Sequence, residues 1–176
     1  MHHIFINTKH HIFIHTKTED CTSRLREIIN WHGLSDGGKM ILVQALEWMN
    51  EDDDDVQIKN SIIQYFIDSS MHGSYRIKSA IRELEKKGFL ARIRTRNLNT
   101  KKLGSSVWLF TDYIGGLEIA FQIAQETLDK KNIVILGEPH SKIDFSFFKE
   151  NPKKQYISNS IIFTEAMEYK AELNID

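Results

Sequence analysis

The chain has 176 residues, 41% of them hydrophobic and 27% charged, with a formal net charge of −1. That apolar content supports one packed domain with appendages and excludes wholesale disorder. A single cysteine, Cys21, excludes an intrachain disulfide, and no apolar run reaches the ~18 residues of a membrane helix.

The chain opens on a tandem repeat, HHIFINTK from His2 to Lys9 followed by HHIFIHTK from His10 to Lys17. Ile, Phe and Thr favour extended structure, so each copy reads as a short strand. No Asn-Gly or Asp-Gly turn joins them, so a tight hairpin is not specified and residues 1–21 are expected to form a loosely held arm. A signal peptide is not expected, since a basic start, an apolar block and a small-residue cleavage site are all missing, and the location expected is cytoplasmic.

Helical spacing of Leu25, Ile28 and Ile29 predicts a helix over Thr22 to His32, ended by Gly33. Ser35 or Asp36 starts a second helix, reaching Asn50, whose apolar residues lie nearly all round, the pattern of a deeply buried helix. The acidic run Glu51 to Asp55 stops it as a solvated loop. A third helix is predicted over Ile58 to Ile67 and a fourth over Ser74 to Lys87, with Ile77, Ala80, Ile81 and Leu84 as its inward stripe. Gly88 sits where a helix needs a left-handed residue to stop.

The period then changes from helix to strand. Phe89 to Arg96 and Ser105 to Thr111 read as the arms of a β-hairpin with Lys101 and Lys102 at its tip. Beyond Asp112, Leu117 to Lys130 reads as a helix, Ile133 to Leu136 as a short strand and Ile161 to Leu173 as a last amphipathic segment. The division expected is therefore an arm over 1–21, a DNA-binding domain over 22–112 and a C-terminal helical extension over 113–176.

Helix, helix, turn, helix, basic hairpin is the order of a winged helix-turn-helix, giving an α+β, mainly α class with additional C-terminal helices. In such readers the second helix of the pair enters the major groove. With its inward stripe buried, the fourth helix leaves Ser74, Tyr75, Arg76, Lys78, Ser79 and Arg82 outside. Arginine can grip guanine bidentately, and Ser and Tyr can reach phosphates or base edges. Arg92, Arg94 and Arg96 are spaced by two, so all three are expected on one strand face beside Lys101 and Lys102. From Gly73 to Thr111 there are ten Lys and Arg against two acids, Glu83 and Glu85. That concentration is the electrostatic footprint of a nucleic-acid surface.

The segment YRIKSAIRELEKKGFLARIRTRN, followed by a Gly and then SVWLFTD, resembles the helix-turn-helix domain of phage and plasmid replication-initiation and replisome-organiser proteins. That family is related to many winged-helix transcriptional regulators. Upstream, LSDGGKMILVQALEWM resembles its first helix, so the resemblance covers about Leu34 to Asp112. It implies a double-stranded DNA binder, with Tyr75, Arg76, Lys78, Ser79 and Arg82 at recognition-helix positions. Arg94, Arg96, Lys101 and Lys102 fall at wing positions. The chain departs from the pattern at Asn60-Ser61-Ile62-Ile63 and in its appended C-terminal third.

Other chemistry is set aside. Five of eight histidines lie in the repeat without a Cys pair or carboxylate framework, so no metal is expected. The Asp run lacks the spacing of a calcium loop, and Gly37-Gly38-Lys39 lacks the rest of a phosphate loop. No nucleophile, base and oxyanion set is found, so neither catalysis nor a cofactor is expected. A homodimer through the C-terminal helices, or a protein partner there, is expected from their apolar faces. The roles considered are transcriptional regulation, replication initiation, and a protein-interaction module on a winged-helix scaffold.

Overall fold

A computed structural model describes residues 4–17, 22–51, 56–148 and 160–174. His2, His3, Cys21, the run Asp52 to Asp55 and Pro152 lie outside the described residues. The order is β1 (Ile4–Asn7), β2 (Ile12–His15), α1 (Thr22–Asn30), α2 (Asp36–Glu47), α3 (Ile62–Ser69), α4 (Ser74–Lys86), β3 (Leu90–Ile93), β4 (Thr95–Asn97), β5 (Val107–Thr111), α5 (Gly116–Asp129), β6 (Ile133–Ile135) and α6 (Ser160–Glu172). The class is α+β, with strands in the order β1-β2-β5-β3 and a two-stranded β4-β6 sheet beside them.

Local chemistry explains the helix limits. Ser35 Oγ accepts from the Gly38 amide and Ser61 Oγ from the Gln64 amide, capping α2 and α3. α3 therefore starts four residues later than its apolar pattern predicts, and Val56 and Ile58 enter the core from an extended segment. α4 stops where Gly88 turns to φ +84°: the Phe89 amide donates to the Leu84 carbonyl and the Gly88 amide to the Glu85 carbonyl. Gly38 at the start of α2 allows a close approach to α4, since a Cβ there would meet Glu83 Oε1 at 2.5 Å.

The repeat is not a loose arm. Its two copies are β1 and β2, antiparallel to each other, with Phe5 opposite Ile14 and Ile6 opposite Phe13. β2 then lies parallel to β5, Ile12 beside Trp108 and Ile14 beside Phe110. The turn between the copies needs no Asn-Gly pair: Asn7 Oδ1 accepts from the His10 amide at 2.8 Å, and His11 takes φ 53°. Ile12, Phe13 and Ile14 are fully buried, which is why this segment is core.

The sheet has an apolar layer on each face. Phe5, Ile12, Ile14, Leu90, Trp108 and Phe110 pack on α1 to α4 and α6. Phe13, Ala91, Ile93, Val107 and Leu109 pack on Leu117, Ala120, Phe121, Ala124 and Leu128 of α5. The apolar stripe of α5 is thus spent inside the chain, as are Ile162, Ala166 and Tyr169 of α6. The faces that motivated a homodimer or a partner through these helices are internal surfaces. Among the described residues no helix is long and apolar enough to cross a membrane.

A buried polar knot ties the arm and α6 to the end of β5. Asp112 accepts from the Lys17 amide at 3.0 Å, and its carbonyl accepts from Arg24 Nε at 2.7 Å. Arg24 and Lys17 both pair with Glu165. Asp112 is fully buried with one carboxylate oxygen unpaired among the described residues, and burial pushes its pKa up to about 6.

Two outcomes follow from this packing. Phe13→Ala should cost about 3–5 kcal/mol in denaturant unfolding, the range for a buried Phe, whereas a loose arm would leave stability unchanged. For Asp112, the folded pKa lies above the unfolded one, so the group opposes folding when ionised and its contribution improves as pH falls through about 6. Asp112→Asn should therefore be stabilised relative to wild type at pH 8, keep about half of that advantage at pH 5 and lose it only below the unfolded value of 3.8, in thermal unfolding across that range. A difference independent of pH would contradict the assignment.

Candidate nucleic-acid interface

The turn from α3 to α4 is four residues long, Ser70 to Gly73, and α4 presents two contrasting faces. Ile77, Ala80, Ile81 and Leu84 are buried. Ser74, Tyr75, Arg76, Lys78, Ser79 and Arg82 are all exposed, and none is held by another side chain among the described residues. Gly73 caps the helix without a side-chain bond, leaving the first amides of α4 open to an anion. Tyr75, Arg76 and Ser79 line one side of an open groove of about 610 Å³, with Ser35, Asp36 and Gly37 of the α2 start on the other.

The two acids of this surface are engaged. Glu83 accepts from the Ser35 amide and hydroxyl and pairs with Lys87 at 3.0 Å, and these bonds hold its pKa below the ordinary value against the opposing effect of burial. Glu85 is buried, held by Arg92 and by Lys142 at 2.8 Å. Of the ten cations between Gly73 and Thr111, eight therefore have no ion pair among the described residues: Arg76, Lys78, Arg82, Lys86, Arg94, Arg96, Lys101 and Lys102. The local positive excess survives folding as a surface property.

Arg92 stands apart from the other two strand arginines. Its guanidinium pairs with Glu85 and lies 5.4 Å from the Trp108 ring centroid, so it clamps β3 to α4. Arg94 and Arg96 are exposed, alternating with buried Ile93 and Thr95. The strand breaks at Arg94, and β4 swings to pair with β6, Arg96 opposite Val134. On its other side Arg96 bridges Leu103. This end of the hairpin is thus broadened by β6 and carries Leu98, Leu103, Val134 and Leu136, all exposed, around its two arginines.

The tip itself is well ordered by local bonds. Asn97 Oδ1 accepts from the Asn99 and Thr100 amides, the Lys101 amide donates to the Asn97 carbonyl at 2.7 Å, and Lys101 takes φ 60°. Lys101 and Lys102 are presented from a fixed turn.

No family model matches the chain, and no curated protein or solved structure matches it either. The residues and their geometry therefore carry the functional reading. Among the described residues, no group of three or more His, Cys, Asp or Glu side chains comes together as a metal site.

Sequence reading missed the Glu85 clamp and Met71. Glu85 follows Ile81 by one turn and so borders the apolar stripe, and a strand arginine lies seven residues on. Those two features were the available signal for the pair. Met71 is an apolar residue in an otherwise polar turn, fully exposed.

The different roles of the three arginines have different stability consequences. Arg92→Ala should cost about 1–3 kcal/mol, because it strips a partner from a buried carboxylate. Arg94→Ala and Arg96→Ala should each stay within about 0.5 kcal/mol. Chemical denaturation of the three variants checks this, and equal losses at all three sites would contradict the clamp.

Proposed function

We propose that the chain binds double-stranded DNA sequence-specifically, as a transcriptional regulator built on a winged helix-turn-helix. In this reading α3 and α4 are the helix-turn-helix pair, α4 lies in the major groove, and the β3–β5 hairpin is the wing. One observation carries it: six residues of α4 face solvent unengaged by any other side chain among the described residues, three of them cationic, while the helix's other face is core. The hairpin extends that cationic surface with Arg94, Arg96, Lys101 and Lys102. Replication initiation is the alternative use of the same DNA-binding surface, and the resemblance of the α4–hairpin segment favours it equally.

A second reading has its own observation. Leu98, Leu103, Val134 and Leu136 form an exposed apolar surround for Arg94 and Arg96, which suits a protein partner on the wing better than a phosphate backbone. The two readings separate by charge dependence.

Binding of the full chain to duplex DNA should fall with salt along a log–log slope of about −4 to −5, the release expected for about five neutralised phosphates. On the preferred duplex Arg76→Ala should cost about 1–3 kcal/mol, with much less effect on random DNA. Arg94→Ala combined with Arg96→Ala should weaken both DNAs alike and flatten the slope by about two. Fluorescence anisotropy at several salt concentrations measures all three. An unchanged specificity ratio in Arg76→Ala would show that α4 is not the reading helix. A flat salt response would favour protein docking.

A further inference from the structure

Two large apolar side chains stand almost wholly in water: Met71 at 103% and Tyr75 at 83% relative exposure, against 54% for the next, Leu98. Both sit at the start of α4, Met71 in the turn that precedes it and Tyr75 as its second residue. Arg76, Lys78 and Arg82 are exposed on the same helix, while Asp36 lines the groove across from Tyr75 and Glu83 is already paired with Lys87. Bare apolar area gives folding nothing, so its stabilisation waits for an occupant. The three unpaired helix cations favour an anionic occupant.

The occupant must offer negative charge along the length of α4 and, at the helix start, an apolar group small enough to be touched by a side chain. A duplex major groove has both: phosphates along its rims and, on its floor, the thymine C5-methyl as its apolar group. An acidic protein surface would supply charge and apolar area too, but eight cations without an ion pair among the described residues suit a repeating phosphate backbone better.

We propose that Met71 and Tyr75 read thymine methyl groups, so that the chain selects duplexes carrying 5-methylpyrimidines opposite the start of α4. This rests on the DNA-binding reading and adds to it a chemical class of target. Methionine supplies an adaptable thioether arm and tyrosine a rigid ring. The ring face, not the hydroxyl, is the reading group.

The full chain is used to enrich a preferred duplex from a random-sequence pool. That duplex is remade with deoxyuridine replacing thymidine at one position at a time, which removes the methyl alone. Wild type should lose about four-fold in affinity for each methyl it reads, the factor for burying one such group. Met71→Ala with Tyr75→Ala should bind thymidine and deoxyuridine duplexes equally, and Tyr75→Phe should keep the discrimination. Wild type indifferent to every deoxyuridine, while still preferring the enriched duplex over the pool, overturns this proposal and leaves DNA binding standing. Discrimination that persists in the double alanine variant also overturns it. No enrichment, or binding of poly-glutamate in preference to duplex, overturns both readings.

Discussion

Strand β5 is the constraint on which the rest of the molecule depends. All five residues from Val107 to Thr111 are buried, three of them large and apolar on alternating faces. A strand of that composition is stable only if both faces are covered and both edges are paired. β3 takes one edge as the hairpin partner, and β2 takes the other. α5 covers one face and the helical layer of α1 to α4 and α6 the other. The N-terminal repeat and the C-terminal third are therefore consequences of a strand that a three-helix core with a hairpin leaves half covered.

The same constraint fixes the candidate site. Phe110 and Leu90, opposite each other across β5 and β3, pack against the core that also holds Ile77, Ile81 and Leu84. The hairpin thus cannot move relative to α4 without opening that core. The Glu85 clamp adds a charged link at the same junction, with Arg92 from β3 and Lys142 from the segment after β6 meeting one buried carboxylate. An unpaired buried carboxylate is costly, so the two cations are held in place by the need to neutralise it. What remains for a ligand is the set of cations left over after these internal demands, and that set lies along one exposed helix face and one hairpin end.

Much of this was legible in the residues. Periodicity located α2, α4, β5 and α5 within a few residues, because their apolar stripes are long and each is bounded by a strong stop or cap. The exposed face of α4 follows from the same stripe. Three things were not legible. The start of α3 depends on whether Ser61 caps, and the apolar residues before it would fit a helix equally well. The spacing of Arg92, Arg94 and Arg96 predicts a shared side but not that Glu85 waits beneath the first. The recruitment of the repeat is a tertiary event: strand propensity was evident, but the vacant edge of β5 that it fills is set by residues a hundred positions away.

The repeat also shows how one difference between two copies separates their jobs. Both supply the same Ile-Phe-Ile strand, so either could pair with β5 on apolar grounds. Seven of eight positions agree, and the exception is Asn7 in the first copy against His15 in the second. Asn7 is buried and closes the turn by accepting from the His10 amide, a role suited to a short side chain that bonds its own following backbone. His15 lies at the far end of the second strand, where its Nδ1 meets the Tyr113 hydroxyl at 3.1 Å, just past the end of β5. The imidazole Nδ1 and the amide Oδ1 reach equally far, so the two residues differ in bulk: the smaller Asn7 fills a buried turn position, and the ring of His15 packs edge-on against Tyr113 with centroids 5.7 Å apart. The copy with asparagine forms the outer strand, and the copy with histidine lies against β5.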